Sequence, residues 1–318
     1  MSPASMPLFA RWRYALKPAS WPKLLVAAAL GQAIGIAATG SVDPLALSLG
    51  VALVVFDLAF VVLLNDWGDQ EVDALKRRIA ADLCSPKTIP DGILESSSVL
   101  WGGLGAGALM LAVAATAEYF MPRPGLTLAA LACLLLFVAY TLPPLRLNYR
   151  GGGEVLEMLG VGFALPWMLA YLQSGVAVPR GLVVLPAFAL MCLASALASG
   201  LSDEPSDRLG GKRTFTTMFG AASVRHAAEG LILGAILVWA ALPLLASDVV
   251  QIWMVAPVVL VMSVDYQALR KQAARSEPED ELTHAGYKAR LHDCVWRGAL
   301  VLAVVLIVTG ILRGGIGA

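Results

Sequence analysis

The sequence contains little charge, little histidine and few cysteines for its length. Charged residues make up 14% of the 318 residues and the formal net charge is zero, so no charge excess favours a nucleic-acid partner. The four cysteines form no CxxC pair, which argues against a disulfide framework or a zinc site. The isolated histidines His226, His284 and His292 are expected on a solvated surface. Residues 1–20 lack an apolar core, so we expect no signal peptide there.

Apolar sequence is abundant instead. Hydrophobic residues make up 58% of the chain and the mean hydropathy is +0.74, more than a soluble domain of this size needs. Because a membrane span takes about twenty apolar residues, the pattern predicts an all-α, polytopic membrane protein with a single domain over residues 1–318. The nine predicted transmembrane helices are 23–40, 43–64, 97–118, 125–143, 155–174, 181–201, 225–246, 249–268 and 294–313.

Basic residues are distributed unevenly between the predicted loops. Twenty of the 23 lysines and arginines lie in the N-terminal segment or in every second loop, and the positive-inside rule places that side in the cytoplasm. We therefore expect residues 1–20 and the charged loops to be cytoplasmic, in the inner membrane of the cell or an equivalent membrane. The charged stretch 270–293 predicts a surface helix that caps a site or lies on lipid headgroups.

Two acidic clusters follow predicted spans on this same side. The first contains Asn65, Asp66, Asp69 and Asp73, and the second contains Asp203 and Asp207. If each cluster is helical, its carboxylates share one helix face, where like charges repel one another. Such clusters predict a bound divalent cation, and oxygen ligands favour Mg²⁺. Basic residues in the same loops suit a polyanion such as a diphosphate: Lys87, Arg146, Arg150, Lys212 and Arg213.

These motifs resemble those of the UbiA superfamily of intramembrane prenyltransferases. Residues 65–73 match the pattern NDxxDxxxD, and residues 140–146 resemble its Tyr-x-x-Pro-Pro-x-Arg segment. Residues 203–214 resemble its second acidic motif with the Gly-Lys-Arg-Thr that follows. We call the two acidic clusters the first and the second signature. The chain departs from the family pattern at Asn148, where lysine is common, and at residues 199–200, where Asn-Asp is common.

The resemblance implies nine helices around a central lipid-accessible cavity, with cytoplasmic loops capping its mouth. It implies Mg²⁺ as cofactor, a prenyl diphosphate as donor and the lipid bilayer as surroundings. The implied metal ligands are Asn65 and the five signature aspartates. The five aspartates are also the implied catalytic residues: Asp66, Asp69, Asp73, Asp203 and Asp207. The implied diphosphate contacts are Asn65, Lys17, Lys87, Tyr140, Arg146 and Lys212. Lys23 is an alternative to Lys17, and Arg150 an alternative basic group near Asn148.

The function we predict is transfer of an isoprenyl chain to a hydrophobic, aromatic acceptor in quinone-type biosynthesis. Charge at the diphosphate helps the allylic C–O bond to ionise, and Tyr140, Phe163 and Trp167 are candidates to stabilise the cation. A signature carboxylate could be the base, but the sequence does not select one. A membrane terpene cyclase is the alternative. A secondary transporter is less favoured, because its acidic groups are expected nearer the membrane midplane.

Overall fold

The structure is a computed structural model that describes residues 6–79, 85–275 and 281–314. Within these ranges the chain is helical and contains no strand, which confirms the all-α class. The α-helices of the described ranges are α1 (Leu8–Leu16), α2 (Pro22–Thr39), α3 (Pro44–Gly68), α4 (Gln70–Ile79), α5 (Ser96–Phe120), α6 (Leu126–Thr141), α7 (Gly153–Leu159), α8 (Leu165–Ser174), α9 (Leu185–Leu201), α10 (Glu204–Leu209), α11 (Phe215–Phe219), α12 (Ala221–Leu245), α13 (Ile252–Arg275) and α14 (Glu281–Arg313).

Eight helical segments in the described ranges are long and apolar enough to cross a membrane. They are Pro22–Thr39, Pro44–Gly68, Ser96–Phe120, Gly153–Ser174, Arg180–Leu201, Ala221–Leu245, Ile252–Ala273 and His284–Arg313. The remaining predicted span, 125–143, corresponds to α6, which has 16 residues. At about 1.5 Å per residue, α6 is shorter than the roughly 30 Å hydrocarbon core of a bilayer. The multi-pass membrane fold is confirmed, and the count of nine spans stays a prediction.

The charged stretch 270–293 does not form a helix of its own where the structure describes it. Residues 270–275 continue α13, and residues 281–293 are the beginning of α14. Residues 276–280 of that stretch lie outside the described ranges. The prediction of a separate surface helix is therefore wrong for the described part, because two long membrane helices extend past their apolar segments.

Local sequence explains where the long helices begin and end. Asp43 caps α3, since its carboxylate accepts hydrogen bonds from the backbone N–H of Leu45 at 2.9 Å and of Ala46 at 3.0 Å. Pro44 occupies the first turn, where no N–H is needed. Gly40 ends α2 in the left-handed conformation, with φ of 73°. These signals produce the short connection between the first two long helices.

Small residues let α2 pack closely at the centre of the bundle. A Cβ atom on Gly35 would lie 2.6 Å from Cβ of Gln173 in α8, and one on Gly310 of α14 would lie 2.5 Å from Cα of Ala37. Close backbone approach of this kind stabilises helix pairs in membranes, where apolar burial contributes little between helices. At the other end of α2, Lys23 and Leu24 in its first turn line a cavity.

A π-helical turn, Gly160–Ala164, connects α7 to α8. Such turns insert an extra residue into a helix and are frequent near functional sites. Gly160 and Val161 of this turn line a cavity that α3 and α6 also line. The turn therefore shapes the wall of that cavity.

Candidate active site

The first signature spans a break between two helices. The helix α3 ends at Gly68 and α4 begins at Gln70, with Asp69 between them. The expectation of one continuous helix is wrong at this point, yet the backbone N–H of Asp69 bonds to the Asn65 carbonyl at 2.9 Å and that of Asp73 to the Asp69 carbonyl at 2.8 Å. The carboxylates consequently stay together. The side chains of Asp66, Asp69 and Asp73 are buried.

The segment after α6 holds the end of α3 in place. A Cβ atom on Gly68 would lie 2.5 Å from Oγ1 of Thr141, so only glycine allows this approach. Arg146 donates a 2.5 Å hydrogen bond to the Gly68 carbonyl, and its guanidinium lies 3.6 Å from the ring centre of Tyr149. Arg146 positions the first signature in this structure, and its contact with diphosphate stays a prediction.

Each carboxylate of the first signature forms an ion pair with a lysine from another segment. The pairs are Lys17 with Asp66, Lys87 with Asp73, and Lys212 with Asp69. The Asp69 pair has an N···O distance of 2.7 Å. Thr88 adds a 2.5 Å hydrogen bond to Asp66, and Asn148 lies 3.4 Å from Asp69, so this departure from the family pattern supports a signature carboxylate. The structure brings Lys17, Lys87 and Lys212 to the first signature, and their contact with diphosphate stays a prediction.

The second signature lies at the start of α10. The backbone N–H of Asp207 bonds to the Asp203 carbonyl at 2.9 Å, which places the two carboxylates one helical turn apart as their spacing predicts. Asp203 is ion-paired with Lys76 of α4, and Nζ of Lys212 lies 3.9 Å from Asp207. Lys212 therefore links the two signatures.

The two carboxylates of the second signature have opposite electrostatic surroundings. Burial raises the pKa of Asp207 to about 7, although Lys212 opposes that shift. Burial also acts to raise the pKa of Asp203, but Lys76 and Lys288 outweigh it and hold that pKa well below its usual range. Burial raises the pKa of Asp73 as well, against the effect of Lys87. A charge placed among these groups changes which of them carries a proton.

Both signatures line one polar cavity of about 130 Å³. Its lining contains Asn65, Asp69 and Asp73 of the first signature and Asp203 and Asp207 of the second. Two clusters that are far apart in the sequence therefore share one cavity. A ligand in this cavity reaches both.

A larger, mainly apolar cavity of about 340 Å³ adjoins the polar one. The two share Asn65, Lys87, Tyr140, Glu157 and Asp203 in their linings. We call these shared residues the rim. The rest of the larger cavity's lining includes the apolar side chains of Leu58, Val61, Leu136, Phe137 and Leu165. Tyr140 stacks on Phe137 with ring centres 5.5 Å apart. The arrangement suits a ligand with a charged head and a hydrocarbon tail.

The other two aromatic candidates lie elsewhere. Phe163 is 47% exposed, and Trp167 donates a 2.8 Å hydrogen bond to the Ala177 carbonyl while it stacks on Tyr171. Tyr140 is at the cavity, with Phe137 beside it.

Lys23, the alternative to Lys17, pairs with Glu157 at the rim instead. Arg150 is exposed.

Sequence reasoning missed several groups of the site. Lys76 and Lys288 lie beside Asp203. From the sequence they are only two of the basic residues in the predicted cytoplasmic loops. His226 is exposed as expected, but His284 is buried and His292 is partly buried, so the expectation of a solvated surface is wrong for these two. Asp57, within an apolar span, is buried and lines the apolar cavity. A lone carboxyl in such a run is the one signal that could have identified Asp57.

The donor set fits Mg²⁺ chemically. Within the described residues no three His, Cys, Asp or Glu side chains are arranged to hold a metal ion; lysine ammonium groups contact the carboxylates instead. Mg²⁺ usually binds to one or two carboxylates and completes its shell with water and substrate phosphates. A preformed cluster of three is therefore unnecessary, and Asn65 with the five signature aspartates supplies the oxygen ligands that this ion prefers.

Solved structures share this architecture. The chain superposes on a UbiA homologue from Archaeoglobus fulgidus bound to DMAPP and Mg²⁺ with a TM-score of 0.69 and 18% identity, over 92% of this chain and 99% of that one. It superposes on a UbiA homologue from Aeropyrum pernix K1 with a TM-score of 0.65 and 15% identity, over 92% of this chain and 97% of that one. At these identities the likeness establishes the fold.

Sequence comparison adds curated relatives and a family. The chain is 26% identical over 231 residues to the chloroplastic chlorophyll synthase of Avena sativa. This match covers 68% of this chain and 56% of that protein. It is 27% identical over 232 residues to the same enzyme of Oryza sativa subsp. japonica, and this match covers 68% of this chain and 57% of that protein. The match thus spans a little over half the length of these relatives, and they do not support the expected role in quinone biosynthesis. A sequence model of the UbiA prenyltransferase family matches residues 24–284, and the chain belongs to that family.

Proposed function

We propose that this protein transfers an isoprenyl chain from a prenyl diphosphate to a hydrophobic, aromatic acceptor. The observation that carries the proposal is the pair of adjoining cavities, one polar with both signatures and one apolar. A prenyl diphosphate has the matching division of charge and hydrocarbon. Its tail gains about 0.8 kcal/mol for each CH₂ group that leaves water.

The diphosphate end is held at the rim by the signatures and the lysines. Asn65 and the five aspartates would hold Mg²⁺, which supplies positive charge that stabilises the leaving diphosphate. Lys17, Lys87, Lys76 and Lys212 are paired with those aspartates, so each ammonium group is already within reach of a phosphate bound there. Exchange of carboxylate contacts for phosphate contacts keeps these lysines charge-paired throughout the reaction.

The apolar cavity protects the allylic cation. Its apolar side chains would keep water away from the cation, which water would otherwise capture. The stacked rings of Tyr140 and Phe137 lie where the tail meets the polar rim, and an aromatic face stabilises a nearby cation by roughly 0.5–2 kcal/mol. These two residues are therefore our candidates to stabilise the developing charge.

The relatives support this class of reaction and leave the acceptor open. Two structural neighbours are UbiA homologues bound to Mg²⁺ with DMAPP or with GPP. The curated relatives are chlorophyll synthases, so a tetrapyrrole acid belongs on an acceptor panel beside phenols and naphthols. We place the metal and diphosphate site at a cytoplasmic face, on the charge bias of the loops.

Product analysis tests the proposal directly. Purified protein in lipid nanodiscs is given Mg²⁺, prenyl diphosphates of several lengths and the acceptor panel, and the products are identified by mass spectrometry. We expect a prenylated acceptor and released diphosphate, both lost when the metal is chelated. A cyclised hydrocarbon or alcohol from donor alone would favour the terpene cyclase alternative. Uptake into proteoliposomes without diphosphate release would favour a transporter.

A further inference from the structure

Asp57 carries a lone carboxyl in the lining of the apolar cavity. It lies in the membrane-spanning segment Pro44–Gly68, is 6% exposed and lines the cavity among apolar side chains. Within the described residues its carboxyl has no hydrogen bond and no ion pair, and its oxygens are not among the side-chain atoms that the protein encloses completely. The carboxyl therefore reaches the cavity and makes no polar contact that holds the helices together.

Two helices show how far Asp57 lies from the rim. On α3, Asp57, Val61 and Asn65 follow one another at intervals of about one turn, and all three line the cavity. Asp57 is eight residues before the rim residue Asn65 and is thus about 12 Å away along the helix axis. On α6, Cys133 is seven residues before the rim residue Tyr140, about 10 Å along that axis. Asp57 and Cys133 both line the cavity, so they lie at a similar distance from the diphosphate end.

A hydrocarbon tail meets different surfaces before and at Asp57. Between the rim and Asp57, α3 and α6 line the cavity with apolar side chains that suit hydrocarbon: Val61, Val62, Leu136 and Phe137. A carboxyl that hydrocarbon covers loses its contact with water and gains no hydrogen bond in exchange, whether it is ionised or protonated. Such a loss weakens binding by about fivefold to a hundredfold. A tail that ends before Asp57 avoids this loss, and a tail that passes Asp57 does not.

Prenyl tails of different lengths end on either side of this position. With carbon–carbon bonds near 1.5 Å, an extended chain advances about 1.25 Å per bond. The tail of a geranyl (C10) donor is then about 9 Å long from C1 to its end, and the tail of a geranylgeranyl (C20) donor is about 19 Å long. With C1 at the rim, the C10 tail ends before Asp57, whereas the C20 tail extends past it.

We propose that Asp57 determines the length of the donor, so that the cavity accepts a C10 prenyl diphosphate and disfavours a C20 prenyl diphosphate. The inference rests on the proposed prenyl transfer and concerns the tail of the donor only. Asp57 acts on the far half of a long tail and does not touch a short one. Its carboxyl selects the substrate and takes no part in the bond-breaking step at the rim.

Binding of unreactive donors tests the inference without an acceptor. In prenyl thiolodiphosphates, sulfur replaces the oxygen that joins C1 to the diphosphate, which slows its departure. The affinities of the C10 and C20 thiolodiphosphates for the full-length protein in lipid nanodiscs are measured by titration calorimetry with Mg²⁺ present. The C20-to-C10 affinity ratio of each variant is compared with the wild-type ratio, because the partition of each tail into the bilayer then cancels.

We expect Asp57→Leu to raise the C20-to-C10 affinity ratio by about fivefold to a hundredfold. Leucine is larger than aspartate, so added space cannot explain that gain. Asp57→Asn keeps the size and the polarity and should keep the wild-type ratio. Asp265→Leu is the matched control, because Asp265 is also a buried acid of a membrane-spanning helix but is paired with Arg297 and lies outside the lining of the apolar cavity.

The outcomes separate this inference from the proposed function. An unchanged ratio in an Asp57→Leu variant that binds the C10 analogue would overturn the inference alone and leave prenyl transfer in place. If Asp57→Leu does not fold, Asp57→Val makes the same test with a smaller apolar side chain. A wild-type protein that binds neither analogue in the presence of Mg²⁺ would end the proposed function and this inference with it.

Discussion

The two signatures line the same cavity but are built differently. In the first, all three carboxylates are buried and each is paired with a lysine from a separate segment. In the second, Asp203 is 37% exposed and ion-paired with Lys76, whereas Asp207 is buried and lies 3.9 Å from Lys212. In the second, the pKa of Asp203 is held well below its usual range by Lys76 and Lys288, whereas burial raises the pKa of Asp207 to about 7.

Each signature also depends on a glycine that faces a threonine of another helix. A Cβ atom on Gly68 would lie 2.5 Å from Oγ1 of Thr141, and one on Gly200 would lie 2.9 Å from Oγ1 of Thr216. Both hydroxyl oxygens are buried without a hydrogen-bond partner in the described residues. The same kind of contact therefore positions both signatures, with a tighter fit at the first. The comparison can be tested at both places.

Removal of one carboxylate from each signature gives the largest expected effect. We expect Asp66→Ala and Asp203→Ala each to lower kcat by about 10²–10³-fold, the loss typical when one group that stabilises developing charge is removed. Diphosphate release is the measurement. Glu204→Ala is the control, because Glu204 is next to Asp203 but pairs with Arg208 on the surface. Normal turnover in either aspartate variant would remove that signature from the site.

The glycine contacts give the next effect. We expect Gly68→Ala to lower kcat by about tenfold to a hundredfold, since a shift near 1 Å in a catalytic group has a cost of that order. Gly200→Ala should cost less, because its contact is 0.4 Å longer. Thr141→Ala in the Gly68→Ala background removes the clashing Oγ1 and should restore part of the rate. No recovery in the double variant would show that Thr141 is not the obstacle.

The pH dependence of the Mg²⁺ affinity should distinguish the roles of the two carboxylates of the second signature. With a pKa of about 7, Asp207 is mainly protonated at pH 6 and mainly ionised at pH 8. A proton must leave before this carboxylate binds a cation, so the apparent Mg²⁺ affinity in the presence of diphosphate should rise up to about tenfold per pH unit below 7 and level off above it.

Two matched variants sharpen that test in titration calorimetry. Asp207→Asn should flatten the pH profile. Asp203→Asn should lower the affinity at every pH and keep the slope, because the pKa of Asp203 is held well below its usual range by Lys76 and Lys288, which outweigh burial. A flat profile in the wild-type protein would contradict the assignment of Asp207 as a metal ligand that titrates.

The sequence predicts the membrane fold and the helical spacing within the second signature, because both follow from local pattern. That the two signatures share one site is implied by the charge bias of the loops and by the family resemblance. Apolar runs specify spans, and the spacing of Asp203 and Asp207 specifies one helical turn. The break at Gly68 is not local, since it depends on Thr141 and Arg146 of another segment. The place of His292 depends on which face of α14 packs inward, and a periodic pattern without contacts does not determine that.

The carboxyl of Asp57 forms no ion pair with a lysine in the described part of the chain, unlike the signature carboxylates. It lies nine residues before Asp66 in α3, about 13 Å further along the helix axis, and the described residues offer its side chain no ion pair. Because a buried polar group without a partner costs about 1–3 kcal/mol, Asp57→Leu should raise the free energy of unfolding by a similar amount, measured as a higher melting temperature in one detergent. Asp57→Asn keeps a polar group and should change little. If Asp57→Leu instead lowers the melting temperature, the carboxyl has a stabilising partner in the apolar cavity, and the contrast between paired and unpaired acids fails.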